Sequence, residues 1–572
     1  MREGSRKHKI AAAGEAQPGR HRSWGPTAGV AAAAVVGLGL MLDTIGRSSA
    51  TYDEPFYLET ACRWWRTGDQ AEISRAGSPL TFWKLQQVPM LWALDHLGRG
   101  DWIDDPRRFE PELLPMARAS SLWIWAAAFA LVALWSRRLY GPRAMVLASW
   151  WFTLSPNLLA HGSLATMETP ILAAMTATFL LFWIFLRTAD RRVFAGSAVA
   201  AGLAFSCKFT AVLIPPILSI LWMVARWIDG DRRLWRMIFR VAAGMLAFAT
   251  IMAATDLVVT GASTVTISPR SGDHPSLSGR LGPRAEAMVR RLIETPMPQD
   301  LAAFIRQAIQ QKQGAPSYLF GEVRSTGWRY YYLVALAVKV PVSFWLILAL
   351  RFSVNGRLPM VGRDWMLPAL AVMFVAMASL GSSRNFGVRY LLPVAPLAII
   401  WISALAEGPP RLRRLVWAGL VFQAIAVATI HPHELSYFNA AAGGPIRGRQ
   451  ILSDSNLDWG QGLRALRRLQ HARPELCDLT LYYFGDSHPA SYRVRGTCYE
   501  VRAIDQGKLP PTLEARTEYL AVSASLQWGP WAPSGYFQSL AGVEPILYTD
   551  DTTIAVYRTA DVPGIGRAPG RR

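Results

Sequence analysis

Residues 27–45, TAGVAAAAVVGLGLMLDTI, lead into TYDEPFYLET at 51–60. The first stretch is long enough to cross a bilayer, which takes about twenty mostly apolar residues. The second places two carboxylates, Asp53 and Glu54, just past its exit, at the boundary between lipid and water. Chemistry at that boundary can reach a lipid-linked substrate from one side and a water-borne one from the other.

The rest of the chain extends this reading. Apolar blocks recur at 118–136, 143–160, 168–186, 193–207, 209–228, 237–258, 330–350, 365–380, 390–406 and 415–430, which with 27–44 predicts about eleven spans. At 572 residues, 51% hydrophobic and with 23 Trp, the chain is too long and too apolar for one soluble domain. Its net charge of +20 is concentrated in short loops: Arg137-Arg138, Arg187 with Arg191-Arg192, Arg232-Arg233-Arg236, Arg351 with Arg357, and Arg411-Arg413-Arg414. These alternate so that all fall on the side of the basic tail 1–26, which predicts a cytoplasmic N-terminus and an outer C-terminus in the cell (inner) membrane. That distribution, with no stacking or base-reading motif, excludes nucleic acid as a partner.

Three pieces are then expected outside. The loop at about 44–117 holds the acidic pair and SPLTFWKLQQVPMLWALDHL, whose Leu80, Trp83, Leu91, Trp92 and Leu94 suggest a helix lying in the interface. The loop at about 259–329 includes the helical PQDLAAFIRQAIQQKQ. The segment 431–572, following a membrane domain at 27–430, is of domain size, and its β-like runs LTLYYFG, EYLAVSA and TTIAVYR alternate with the helical GQGLRALRRLQ, as in a small α/β domain. The four cysteines include no CxxC; an oxidising compartment would allow a disulfide between Cys477 and Cys498.

Four clusters on the outer side can carry chemistry: Asp53-Glu54; His161, Thr166 and Glu168 in SPNLLAHGSLATMETP; Lys208 in AFSCKFTA; and Arg384, Arg389 and Tyr390 in SSRNFGVRYLLP. Carboxylates beside cations suit a reaction that deprotonates a hydroxyl while expelling a phosphate. Each group also has an ordinary structural reading. His161 can hydrogen-bond at a helix end, Thr166 and Glu168 can cap the fourth span, Lys208 can snorkel, and Arg389 with Tyr390 can anchor at the interface. Further on, SDSNLDWGQGLRALRRLQ sets Asp454, Asn456, Asp458, Trp459 and Gln461 before a helix with Leu463, Leu466 and Leu469 at threefold spacing. That cluster reads either as a cap or as a contact to the acceptor.

Taken together, YDEP, SPNLLAHGSLATMETP, GLAFSCKFTAV, YLFGEVRSTGWRYYYLVALAVKVP, NFGVRYLLPVAP and HPHELSYFNAAAGGPIRGRQILSDSNLDWGQGLRAL resemble the protein O-mannosyltransferase-like branch of the GT-C glycosyltransferases over about 45–465. The resemblance implies a polytopic α-helical membrane protein of GT-C type, with about eleven transmembrane helices and a C-terminal extracytoplasmic α/β domain. It implies a polyprenyl-phosphate-linked sugar donor, a protein, lipid or glycan acceptor, and Asp53 as catalytic base. Such enzymes carry Asp in a TTD-like context after the third span. Here the text is TME, and Glu168 reaches one methylene further. Within this scheme Glu54 and Glu168 position groups or a divalent cation (Mg²⁺ or Mn²⁺), while Lys208 and Arg389 hold phosphate, with Arg384 next in line. A transporter or flippase for lipid-linked sugars would also explain the spans and interfacial charges, but no two-half repeat is visible. A binding scaffold is the third reading.

Overall fold

In lipid a backbone must satisfy its own hydrogen bonds, so long apolar runs become helices. The computed structural model describes residues 24–69, 85–266, 291, 294–354, 362–501 and 509–567. Among these, six helices are long and apolar enough to cross a membrane: Gly25–Arg47, Glu110–Tyr140, Glu168–Thr188, Phe209–Ile228, Leu234–Val259 and Pro410–Ile430. A seventh is broken. Tyr331–Lys339 and Val342–Ser353 meet at 107°, because Val340 is extended before Pro341, whose ring denies the helix an N–H.

Against the eleven spans expected from the sequence, six helices, or seven with the bent pair, meet this test of length and apolarity among the described residues. The blocks at 143–160, 193–207, 365–380 and 390–406 do fold as helices, but short ones. The first is interrupted at Ser155, ahead of Pro156, giving Pro142–Thr153 and Pro156–Gly162. The others are Arg191–Cys207, Met366–Gly381 and Val394–Glu407. Helices Leu122–Tyr140, Pro142–Thr153 and Glu168–Thr188 bury Trp125, Trp135, Trp151, Phe152, Phe179 and Trp183 in one core. Arg191–Cys207 lies so close to Leu234–Val259 that a Cβ on Gly202 would sit 2.6 Å from the Met252 carbonyl oxygen.

At one end of the bundle the basic loops meet. Arg351 pairs with Asp364 at 3.5 Å, Asp364 also accepts the Tyr140 hydroxyl at 3.1 Å, and Arg363 pairs with Asp229 at 2.8 Å. The opposite end carries the helices Glu54–Thr67, Val88–His96 and Glu110–Ala119 and a mixed sheet. In Val88–His96, Leu91 and Leu94 turn inward and are buried while Trp92 is exposed; Leu80 and Trp83 lie outside the described residues. The run after Pro298 is the helix Gln299–Gln313.

The sheet has five strands: β1 (Leu479–Phe484), β2 (Thr497–Val501), β3 (Tyr519–Ser523), β4 (Leu547–Tyr548) and β5 (Ile554–Arg558). Their order is β2-β1-β3-β5-β4, with β1 parallel to β2 and β3, and β5 antiparallel to β3 and β4. Every residue of β1 is buried, which explains its unbroken apolar and aromatic run. The helix Leu463–Ala472 packs Leu463 and Leu466 against the sheet. Cys477 and Cys498 are both free. Cys498 stands opposite Leu481 in the β1–β2 ladder, and the Cys477 thiol donates to the Gln470 carbonyl; the disulfide that an oxidising compartment would allow is not formed here.

Sheet and bundle are joined through the first loop. Ser49 and Tyr52 donate backbone N–H groups to the carbonyls of Gln461 (3.1 Å) and Trp459 (2.7 Å). Buried Glu110 accepts the hydroxyls of Ser487 at 2.6 Å and Tyr492 at 2.8 Å, and Arg107 pairs with Asp486 at 2.8 Å.

Candidate active site

Three chain breaks converge at the sheet end of the bundle. Asp53 stands at the N-cap of Glu54–Thr67, but its carboxylate caps nothing. Lys208 is extended, φ −160° and ψ 135°, where Arg191–Cys207 stops. Arg389 sits in the 3₁₀ turn Val388–Leu391, entered through Gly387 at φ 122°. Only glycine fits there. A Cβ would strike Ser455 Oγ at 2.5 Å, and the positive φ is strained for other residues.

Glu168 opens the helix Glu168–Thr188, where the backbone N–H groups favour an anion. Its carboxylate receives Lys208 Nζ at 3.0 Å and lies 3.5 Å from Arg389 Nη1. The same Arg389 nitrogen is 3.0 Å from Asp53 Oδ2, so one guanidinium bridges both carboxylates. Lys208 lies over the Tyr390 ring at 3.9 Å, and Arg389 over Trp459 at 4.1 Å. Arg389 is nearly buried, and its Nε has no hydrogen-bond partner. Such a donor costs about 1–3 kcal/mol while unsatisfied. Burial raises the Asp53 carboxyl above its usual value although Arg389 pulls it down.

Asp53, Glu168, Lys208, Arg389 and Tyr390, singled out from sequence, thus meet in one place. Glu54 and Arg384 do not join them, and His161 stands at the edge, within reach of the charges of Glu168, Arg389 and Lys208. Glu54 turns away and is fully engaged. It receives Arg118 through both oxygens at 2.8 and 2.7 Å, the backbone N–H and hydroxyl of Thr51 at 2.8 and 3.0 Å, and the Ala165 N–H at 2.8 Å. Burial works against its charge, but Arg118 and these N–H groups outweigh it, and the carboxyl stays below its ordinary value. The expectation that Glu54 positions groups or a metal gives way to a buried brace. Arg384 leaves the cluster for Gln310 Oε1 at 3.0 Å and the Phe386 ring. His161 is buried with its ring edge-on to Trp459; burial lowers its imidazole to about 3, so it is neutral. Its Nδ1 has no partner.

The loop at 453–461 forms the roof. Asn456 accepts the Val388 N–H at 3.0 Å and donates to the Tyr331 hydroxyl at 2.9 Å, Ser455 donates to the Phe386 carbonyl, and Lys339 Nζ donates to the carbonyls of Leu435 (3.0 Å) and Asn456 (2.5 Å). Asp458 holds the N–H groups of Gly460 and Ser525 at 3.1 and 2.9 Å, a bracing role, with burial pushing its carboxyl up to about 7. Asp454, at φ 57°, faces the charges of Arg389 and Asp53, and burial pushes it up to about 6. Tyr57, one turn after Asp53, was missed in sequence. Its phenol is buried among the charges of Asp53, Glu168 and Arg389. The signal was present: i to i+4 spacing puts both on one helix face.

Beside Val388 and Leu391, which flank Arg389, opens an apolar cavity of about 600 Å³. Its walls include Leu333, Leu336, Phe344 and Val375, from the bent pair and Met366–Gly381. Among the described residues no three His, Cys, Asp or Glu side chains group as metal ligands; Arg389 lies between the two carboxylates instead. The arrangement can bind an anion with two cations, supply a base beside it and keep an apolar tail alongside.

These features define a multi-span membrane protein with an ion-paired site at one end of its bundle. Residues 115–255 match the profile of the family described as dolichyl-phosphate-mannose-protein mannosyltransferase. That match covers about a quarter of the chain. Solved structures similar to it include ArnT from Cupriavidus metallidurans bound to undecaprenyl phosphate, at 13% identity over 96% of this chain and 100% of that one, with a TM-score of 0.46. The apo state of the same protein gives 14% identity over 95% of this chain and 100% of that one, with a TM-score of 0.45. The archaeal oligosaccharyltransferase AglB from Archaeoglobus fulgidus, in complex with an inhibitory peptide and a dolichol-phosphate, gives 12% identity over 95% of this chain and 75% of that one, with a TM-score of 0.41. No curated protein matches the chain.

Proposed function

We propose that this protein transfers a sugar from a polyprenyl-phosphate donor to an acceptor hydroxyl on the outer face of the membrane. The observation that carries the reading is the bridge Asp53–Arg389–Glu168–Lys208, with a buried, unpartnered Arg389 Nε, beside an apolar cavity. The polyprenyl chain occupies the cavity, and its phosphate takes hydrogen bonds from Arg389 and Lys208. Asp53 accepts the proton as the acceptor oxygen attacks the anomeric carbon. The bond from that carbon to the phosphate oxygen breaks, and the phosphate leaves with the electron pair, its negative charge stabilised by the two cations. Attack opposite the leaving phosphate inverts the anomeric configuration. Glu168 keeps Lys208 and Arg389 aligned. Two cations facing two carboxylates leave the cluster neutral before the phosphate arrives, and transfer in excess EDTA tests whether a divalent cation adds to them.

The central experiment is Asp53→Asn, which keeps the size and discards the base. Transfer falls by about 10²–10⁴-fold, while undecaprenyl phosphate still binds and the melting temperature holds. Near-normal turnover would sink the assignment. The orientation rests on the basic loops, which share the end away from the site. In intact spheroplasts the chain after 463 should be open to protease and a tag at residue 1 protected.

A further inference from the structure

Residues 526–538, LQWGPWAPSGYFQ, leave β3 and curl around a cleft of about 370 Å³. Its far wall is the hairpin of Ser317–Leu319 and Glu322–Arg324. That volume lies within the roughly 300–1,000 Å³ of small-ligand sites. The chain carries a net +20, yet among the described residues lining the cleft none is charged. The lining is aromatic and amide: Tyr318, Trp528, Tyr536 and Phe537 with Gln527 and Gln538.

The rings and amides are not all spoken for. Tyr536 spends its hydroxyl on the carbonyls of Pro510 and Thr512, and Gln527 is bonded to Tyr557. Gln538, by contrast, is exposed, and Trp528 is half-buried with no ring stacked on it among the described residues. An indole face beside an amide that both donates and accepts suits a sugar ring. The apolar C–H face lies on the indole, and hydroxyls pair with the amide. An extended peptide fits less well, because the segment's turns close on themselves. Tyr536 N–H goes to Pro533 and Gln538 N–H to Gly535, which removes these donors from any strand edge.

The cleft is also tied to the reactive cluster. A Cβ on Gly529 would lie 2.7 Å from Ser453 Oγ, next to Asp454. Trp531 stacks on Phe484 at 5.7 Å and 13°, and Phe484 stacks on Tyr52 at 5.3 Å and 10°, the neighbour of Asp53. We infer that this cleft binds an uncharged glycan and is where the acceptor docks. The acceptor role rests on the transferase reading above; the glycan site does not.

The test is calorimetric titration of the full chain in detergent with mannotriose, maltotriose and chitotriose, against octaproline and a galacturonic acid trimer. At least one neutral trisaccharide should bind. Trp528→Ala should weaken it tenfold or more and Gln538→Ala severalfold, with undecaprenyl phosphate affinity unchanged in both. Should Trp528→Ala lower the melting temperature, the exposed Gln538→Ala decides alone. Binding of none of the three, binding indifferent to the variants, or preference for octaproline or the charged trimer overturns the site. Full turnover in Asp53→Asn would instead remove the transferase reading and leave trisaccharide binding standing, so the two failures are distinct.

Discussion

Asp53 and Glu54 are neighbours in the chain, and each faces an arginine, but the two pairs are built differently. The Glu54–Arg118 pair is closed. Both side chains are fully buried, and the carboxylate takes five hydrogen bonds. The Asp53–Arg389 pair is open. Asp53 keeps 26% of its side chain exposed, one oxygen is bridged to Arg389, and Arg389 Nε remains unused. A closed pair is costly to break and has no spare valence for a ligand. An open one holds its charges in place and leaves donors for an incoming phosphate. Adjacent carboxylates can thus serve stability and chemistry separately, provided that the helix start turns them to opposite sides.

The largest effect expected from this contrast lies on the closed side. Arg118→Met leaves Glu54 buried and unpaired, which costs about 3–5 kcal/mol, read as a large fall in melting temperature or loss of folded protein. Adding Glu54→Leu should restore much of it. If Arg118→Met melts normally, the pair is not the brace described here.

On the open side, Lys208→Ala should weaken undecaprenyl phosphate binding tenfold or more, because one charge-assisted bond is worth about 1.5–3 kcal/mol, while the melting temperature moves little. Equal loss of stability and affinity would erase the distinction between the pairs.

Acidification should separate them as well. Burial raises Asp53, so its base form is lost first as pH falls, at values above the ordinary aspartate range. Glu54 is lowered, so the stability from its pairing persists below the ordinary glutamate range and disappears only as pH falls through its depressed value. Transfer should therefore fail at a higher pH than the fold, read by a rate profile beside a melting profile. Coincident acid limbs would contradict this.

The smallest effect is assigned to Arg384. It is tied to Gln310 and Phe386, so Arg384→Ala should change donor affinity by less than about twofold, within the scatter of surface substitutions. A larger loss in the same titration would return it to the phosphate site.

Much of this was legible in the chain. The long apolar runs, the basic loops and the strands at LTLYYF, YLAVS and IAVYR follow from composition and period, which are local. Proline interrupts two of the blocks. Pro156 and Pro341 each cut or bent what reads as one continuous span. At the site, residue types next to chain breaks pointed to Asp53, Glu168, Lys208 and Arg389. No local pattern, however, shows that Glu54 would meet Arg118, 64 residues away, while Asp53 meets Arg389, 336 residues away. Which of two adjacent carboxylates joins Arg389 and Lys208 is decided by tertiary packing alone.

The seam between the first loop and the 459–463 segment also sets a schedule. Ser49 Oγ accepts the Leu463 N–H across 414 residues of chain, and Tyr52 N–H has its partner at Trp459. During synthesis at about 5–20 residues per second, the loop bearing Asp53 leaves the ribosome tens of seconds before the strip that completes it. Through that interval the nascent chain holds a base without its roof. A ribosome that stalls before this strip leaves Ser49 and Tyr52 without these partners, so the first loop is completed only after residue 463 has been made.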